Sequence, residues 1–221
     1  MSNVKNNASA QETRRRLLEA AGQVFARRGL HGATTREITD LAHANSAAIN
    51  YHFKDKQELY FEVMRYGHAR AIEGLHGIGL TGPPQKRLRQ FVAHMMRQVL
   101  DPARPEWAMG LFWREHIQPT AALDVIIDLL ARPYATALRG ILADLMGKKQ
   151  GDPRVILAAN SIISQCVFYV HHRALLDRLY PDVPALHDAR VITRHITQNA
   201  LAAYGPRPAR RRTGAKTRAP V

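Results

Sequence analysis

Disulfide bridging is excluded first, because the 221-residue chain has a single cysteine, Cys166, and one thiol cannot pair within its own chain. That count fits a reducing compartment. Cys166 stands among Ile162, Ile163 and Val167, where a small buried apolar residue is expected, and a redox-sensing role stays open. Long apolar runs are also missing. No window approaches the ~18 consecutive apolar residues of a membrane span. Met1 to Ala10 is polar, without the apolar stretch of a secretory leader. The expectation is a cytoplasmic chain with no membrane partner. Acidic residues are scarce: 18 Asp and Glu stand against 32 Lys and Arg, for a net charge of +14. Such an excess favours a polyanionic partner.

Catalytic patterns are absent too. There is no Gly-rich phosphate loop, nucleophile elbow or paired-carboxylate spacing, so no enzyme activity and no cofactor are expected. The eleven histidines do not form a metal set. His171 and His172 are adjacent and diverge around a helix, and the pairs His68/His76 and His187/His195 lack a Cys or acidic cluster to complete a shell.

What is present is helix. Between Gln11 and Tyr204 apolar residues recur at spacings of three and four, and no strand-like alternation persists. Turn signals at Arg28-Gly29, Gly79 to Pro84, Asp101-Pro102, Gln118-Pro119, Gly147 to Pro153 and Tyr180 to Pro184 divide the chain into about nine helices. The expected fold is all-α: a three-helix N-terminal module over 11–56 and a larger helical body over 57–204. Residues 1–10 and 205–221 are expected to be disordered, the latter carrying six basic and no acidic residues. Positive charge is also dense in residues 1–56, with nine Lys/Arg against five Asp/Glu.

The first helix, about 12–28, places Leu17, Leu18, Ala21, Val24 and Phe25 on an inward stripe, with Gly29 as a left-handed stop. Thr34 followed by Glu37 is a capping box that starts a second helix, ending near Ala42. After a turn at His43-Ala44, Asn45 is expected to cap a third helix from Ser46 to Phe53. Asp55 and Glu58 repeat that logic for a long fourth helix. Two short helices joined by a tight turn, with another packed across them, form a helix-turn-helix. Ile38, Leu41, Ala42, Ile49 and Phe53 supply its core. Arg36, Ser46, Ala47, Ala48, Asn50, Tyr51, His52 and Lys56 are left outside, and small residues at 46–48 let the helix end approach base edges in a major groove.

These residues resemble the TetR family of bacterial regulators: Leu17 to Gly32, then Thr34-Thr35-Arg36-Glu37-Ile38, Leu41-Ala42, and Ile49 through Leu59, in the expected order and spacing. The string Ala47 to Phe53 further resembles the subgroup with a CerR-like C-terminal domain. By this resemblance Thr34 and Thr35 meet the DNA backbone and Arg36 reads a base. Ser46, Ala47, Ala48, Asn50, Tyr51 and His52 form the recognition helix, and Lys56 clamps a phosphate. His43 stands where the family usually has Gly, and Asn50 replaces a commoner aromatic. The resemblance implies a homodimeric repressor of a palindromic double-stranded operator, released by a small apolar or drug-like effector. An activator, or a protein binding DNA without sequence preference, is the alternative.

In the body, aromatic and Met residues concentrate between 88 and 142, which suits an apolar pocket or ordinary core. Phe91, Met95, Trp113, His116 and Phe168 are the candidate effector contacts. Helices near 153–178 and 184–204, with Val155, Ala158, Ala159, Ile162 and Ile196 among their apolar residues, are the expected pairing surface. The tail Arg207 to Arg218 either adds sequence-independent DNA affinity or only solvates the chain end.

Overall fold

The computed structural model describes residues 2–76, 78–100 and 103–206. Among them there are helices and no strands. The helices are α1 (Ser2–Gly32), α2 (Thr35–Leu41), α3 (Ala48–Phe53), α4 (Lys56–His76), α5 (Pro84–Val99), α6 (Glu106–Ile117), α7 (Ala122–Ile126), α8 (Arg132–Met146), α9 (Pro153–His171), α10 (Arg173–Leu179) and α11 (Ala189–Tyr204). A single π-helical turn, Ile127–Ala131, joins α7 to α8 without a break. It sits just before Pro133, whose missing N–H cannot bond back to Leu129, and a π turn accommodates that loss.

Local chemistry explains most boundaries. Gly29 has φ 70° and kinks α1 three residues before its end. Gly147, at φ 63°, stops α8 in the left-handed conformation. Asp152 and Asp188 cap α9 and α11 by accepting from Arg154 N and Arg190 N at 2.9 and 2.7 Å.

Where residues 1–10 were expected to be disordered, α1 begins at Ser2. Residues 2–21 hold neither Pro nor Gly, so a helix nucleated by the buried stripe extends backward through Ala8 and Ala10. Arg15 pairs with Glu12 at 2.7 Å along that extension. The basic tail from residue 207, and with it the question of its DNA contact, lies outside the described residues.

Burial falls into two clusters. The first joins α1, α2, α3 and the first half of α4 to α6 and α7, through Leu17, Phe25, Ile38, Phe53, Tyr60, Trp107, Leu111 and Ile126. The second joins α5, α8, α9 and α11 through Leu88, Phe91, Leu138, Leu142, Ile162, Cys166 and Ile196. Val155, Ala158, Ala159 and Ile162 on α9, and Ile192, Ile196 and Ala200 on α11, are thus core of this chain rather than an outer pairing face. Spacing alone could not tell the inner stripe of an apolar helix from the outer one. Exposed apolar residues on these helices are Ile156, Leu157, Phe168 and Val191. By length and composition α9 is long and apolar enough to cross a membrane, with mean hydropathy 1.3, although its inner stripe packs in the second cluster.

Candidate nucleic-acid interface and internal cavity

The helix-turn-helix is assembled by caps and a small core. Thr34 Oγ1 accepts from Glu37 N at 3.1 Å, and Glu37 Oε2 accepts from Thr34 N at 3.3 Å, which completes the expected capping box. Ile38, Ala42, Ile49 and Phe53 are buried as expected, but Leu41 is 43% exposed. Its place is taken by Thr39, buried because its hydroxyl donates back to the Thr35 and Arg36 carbonyls. His43 adopts φ 49° in the turn, so a non-glycine does hold the left-handed position. The third helix is shorter than expected, starting at Ala48. Asn45 Oδ1 accepts from Ala47 N at 2.8 Å, closing an extra turn over Ser46 and Ala47 instead of a helical one. Asp55 accepts from Glu58 N at 2.8 Å and starts α4.

Thr34, Thr35, Arg36, Ser46, Ala47, Asn50 and Tyr51 are exposed, whereas Ala48, His52 and Lys56 are half-buried. The Arg36 side chain is 91% exposed and only loosely tied to Asp40 at 3.8 Å. Tyr51 is 79% exposed, with its ring edge-on to His52. Burial, aided by the Arg14 charge, lowers the His52 pKa, so the imidazole offers a neutral donor or acceptor. Lys56 Nζ donates to the Ala33 carbonyl at 2.9 Å, where it closes the end of α1 in addition to any phosphate it meets.

A cavity of about 400 Å³ opens between the two clusters. Its walls come from α4 (His68, Ala71), α5 (Met95, Gln98, Val99), α6 (Met109, Phe112, Trp113, His116), the π turn and α8 (Leu130, Tyr134), and α9 (Ile163, Val167, Val170), with Arg104 beside α6. Of the sequence candidates, Met95, Trp113 and His116 line it. Phe91 and Phe168 do not. Phe91 is fully buried against Tyr134 in the second cluster, and Phe168 is 43% exposed and stacks on His172. His68, Gln98 and Arg104 were missed, because nothing in the local pattern of α4, of the end of α5 or of the α5–α6 connection marks a residue that faces a void.

The cavity is mainly apolar, with a few polar handles. His68 is 5% exposed. Its Nδ1 lies 2.9 Å from the Met64 carbonyl, which makes that nitrogen the donor, while Nε2 is buried without a partner. Burial pulls its pKa down to about 4. His94 Nε2 lies 2.9 Å from the Tyr134 hydroxyl, and burial pushes the Tyr134 phenol up to about 12. Cys166 is fully buried, with its thiol pushed up to about 12 by burial, an inert environment for a sulfur. Among the described residues no three His, Cys, Asp or Glu stand together as metal ligands.

Helix α6 faces both ways. Opposite its cavity-lining side, Trp107 lies against Gly22 and Gly67, where a β-carbon would fall 2.3 and 2.9 Å from the indole. Trp107 Nε1 donates to Glu19 at 3.0 Å, and Tyr66 donates to the same carboxylate at 2.8 Å. Arg114 donates to the Arg27 carbonyl at 3.1 Å, near the Gly29 kink. Glu115, fully buried, accepts from the Tyr60 hydroxyl at 2.6 Å and from Thr120 N at 2.8 Å. Burial and this carboxylate hold the Tyr60 phenol protonated well above its usual range. The α6 helix therefore joins the cavity wall to α1 and α4.

Comparisons with known proteins agree with this layout. Residues 17–63 match the family described as bacterial regulatory proteins, tetR family. Residues 84–205, more than half the chain, match the C-terminal domain of the HTH-type transcriptional dual regulator CecR; this is the domain expected above under the name CerR. The CecR regulator of Shigella flexneri is 25% identical over 182 residues, covering 76% of this chain and 80% of that one. Among solved structures, a tetR-family regulatory protein from Rhodococcus RHA1 superposes with TM-score 0.64 at 21% identity, covering 87% and 97% of the two chains. FadR of Bacillus subtilis, solved with stearoyl-CoA, gives 0.60 at 17% identity over 85% and 97%. With both halves matched in order, the chain belongs to the TetR family of transcriptional regulators and carries a CecR-type C-terminal domain.

Proposed function

We propose that the chain acts in the cytoplasm as a homodimeric repressor that holds a palindromic operator and releases it when a small apolar effector fills the cavity. The observation that carries this reading is the double role of α6. Met109, Phe112, Trp113 and His116 border the cavity, while Trp107 and Arg114 on the opposite side grip α1. A ligand that moves α6 then moves α1, on which α2 rests, and α4, on which α3 rests. Coupling of this kind needs two body states that hold the recognition helices differently. Thr34, Thr35, Arg36, Ser46, Ala47, Asn50 and Tyr51 are the proposed DNA contacts, with Ala48, His52 and Lys56 at their edge. Met95, Trp113 and His116 are the retained effector contacts, with His68, Phe112 and Tyr134 added.

Pairing is supported by the outward residues Leu157 and Phe168 of α9 and Val191 of α11, which leave an apolar strip open. Two-fold symmetry would set two α3 helices on half-sites roughly 34 Å apart. Activation is a second reading, favoured by one observation: the Shigella relative is named a dual regulator.

The test is fluorescence-anisotropy titration of the purified chain with duplexes from its own upstream region and with random duplex, at several salt concentrations. Specific binding should exceed non-specific by at least ~10³. Equal affinity for all duplexes would refute the reading. Val167→Trp, which fills the cavity, should keep operator binding and abolish release by any effector that a screen identifies.

A further inference from the structure

A second concavity lies between α5 and α11, on the side of α5 away from the effector cavity. Met95, Gln98 and Val99 face the cavity, whereas Arg89 and Arg97 line the groove, and Arg190 and Arg194 line it from α11. The groove encloses about 730 Å³, within the range of small-molecule sites. All four arginines are exposed, and no Asp or Glu lines the groove with them. Elsewhere arginines find carboxylates: Arg14 pairs with Glu62, Arg87 with Asp144 and Arg132 with Asp128. None of the four groove arginines has an ion pair among the described residues.

Their placement on α11 is also unfavourable for an empty groove. Arg190 and Arg194 occupy the first two turns, stacked as like charges four apart and set at the positive end of the helix dipole. The nearby Asp188 carboxylate is turned to the Arg190 and Val191 N–H groups at 2.7 and 3.4 Å, serving as the cap. Two arginines on each wall line one groove without a carboxylate among them, so an anion seated there gains charge from both helices. Guanidinium groups suit phosphate oxygens because their paired N–H groups match them two at a time. Ala93 and Leu201 add apolar surface to the lining, room for an organic body beside the charges.

We propose that this groove binds a small molecule with two or more phosphate-type charges, such as a nucleoside diphosphate, between Arg89 and Arg97 on one side and Arg190 and Arg194 on the other. A duplex is a poorer occupant, since its phosphates lie on a convex cylinder and the groove is concave. The site belongs to the helices of the second cluster and is independent of the effector cavity and of the helix-turn-helix.

Isothermal titration calorimetry of the full chain at low salt, with pyrophosphate, adenosine diphosphate and adenosine, tests the proposal. Pyrophosphate and adenosine diphosphate should bind one per chain, and adenosine should give no heat. Tighter binding of the diphosphate than of pyrophosphate would show the organic body engaged; equal binding would assign the affinity to the phosphates. The pair Arg97→Ala and Arg194→Ala, or independently Arg89→Gln and Arg190→Gln, should weaken binding at least tenfold with an unchanged melting temperature and unchanged duplex affinity. Arg36→Ala should leave it intact. Absence of heat at millimolar pyrophosphate overturns the proposal. So does loss of anion binding in Arg36→Ala but not in the groove pairs, which would move the anion to the DNA-facing helices. A fall in duplex affinity in the groove pairs would make the groove a nucleic-acid contact and would equally sink it.

Discussion

The two hydrophobic clusters differ in how tightly their geometry is specified. The one that carries α1 to α3 seats an indole directly on two glycine backbones and buries a carboxylate, Glu115, with every acceptor committed to Tyr60 or Thr120. The one that carries α9 and α11 is mostly aliphatic, with Leu88, Leu138, Leu142, Ile162 and Ile196, and its buried polar contacts are few: the His94–Tyr134 pair and the Thr197 hydroxyl on the Thr193 carbonyl of its own helix. Aliphatic cores of the right volume tolerate repacking, whereas satisfied polar networks and close backbone contacts specify one arrangement. The cavity opens between a stiff partner and a more adaptable one. A ligand there is expected to be accommodated by the second cluster and felt by the first.

Paired truncations would break this comparison most directly. Trp107→Ala and Phe91→Ala should each cost roughly 3–5 kcal/mol in urea denaturation, as large buried aromatics do. Only Trp107→Ala should also lower operator affinity under conditions where both variants stay folded. An equal effect on DNA binding from Phe91→Ala would erase the distinction.

Acid offers a slightly smaller lever at the boundary between the clusters. His68 is neutral and hard to protonate in the folded chain, with a pKa of about 4, but in the unfolded chain it charges near the usual value of about 6.5. The unfolded state therefore takes up the extra proton first. Stability should be intact above pH 6.5 and fall as the pH drops toward 4, by about 3 kcal/mol from this residue. His68→Phe should flatten that part of the pH–stability curve, and an unaltered curve would remove His68 as its cause.

On the DNA side, Arg36→Ala should cost about 1–3 kcal/mol of operator affinity and relax preference at one position per half-site if the arginine reads a base. A uniform loss on all sequences would assign it to phosphate instead. Smallest of all, Tyr51→Ala should shift folding stability by under about 0.5 kcal/mol, because the ring is exposed, while still weakening duplex binding in anisotropy.

The parts legible in the sequence were those set by neighbours along the chain. Thr34 with Glu37, Asp55 with Glu58, the Gly29 kink and the His43 turn all follow from bonds within a few residues. The inward stripe of α1 followed from periodicity, since a surface helix has one wet side. Helix α9 gave no such signal, because it is apolar over much of its surface, and the apolar stripe of α5 meets both the core and the cavity, which periodicity does not separate. Phe91 therefore looked as fit for a cavity as Met95, and Ala158 as fit for an interface as Leu157. Which side faces a void, a core or an open strip is decided by helices far away in sequence. The groove arginines were hidden for the same reason: Arg97 and Arg194 are nearly a hundred positions apart, and only the packing of α5 on α11 brings them together.

The seating of Trp107 on Gly22 and Gly67 has a consequence for how such a regulator changes over time. No side chain intervenes that could rotate to absorb a displacement, so the joint has no slack, and its fidelity does not depend on what the far side of α6 carries. Substitutions at Met109, Phe112 or His116 could then retune which compound is sensed while leaving the mechanical linkage as it stands.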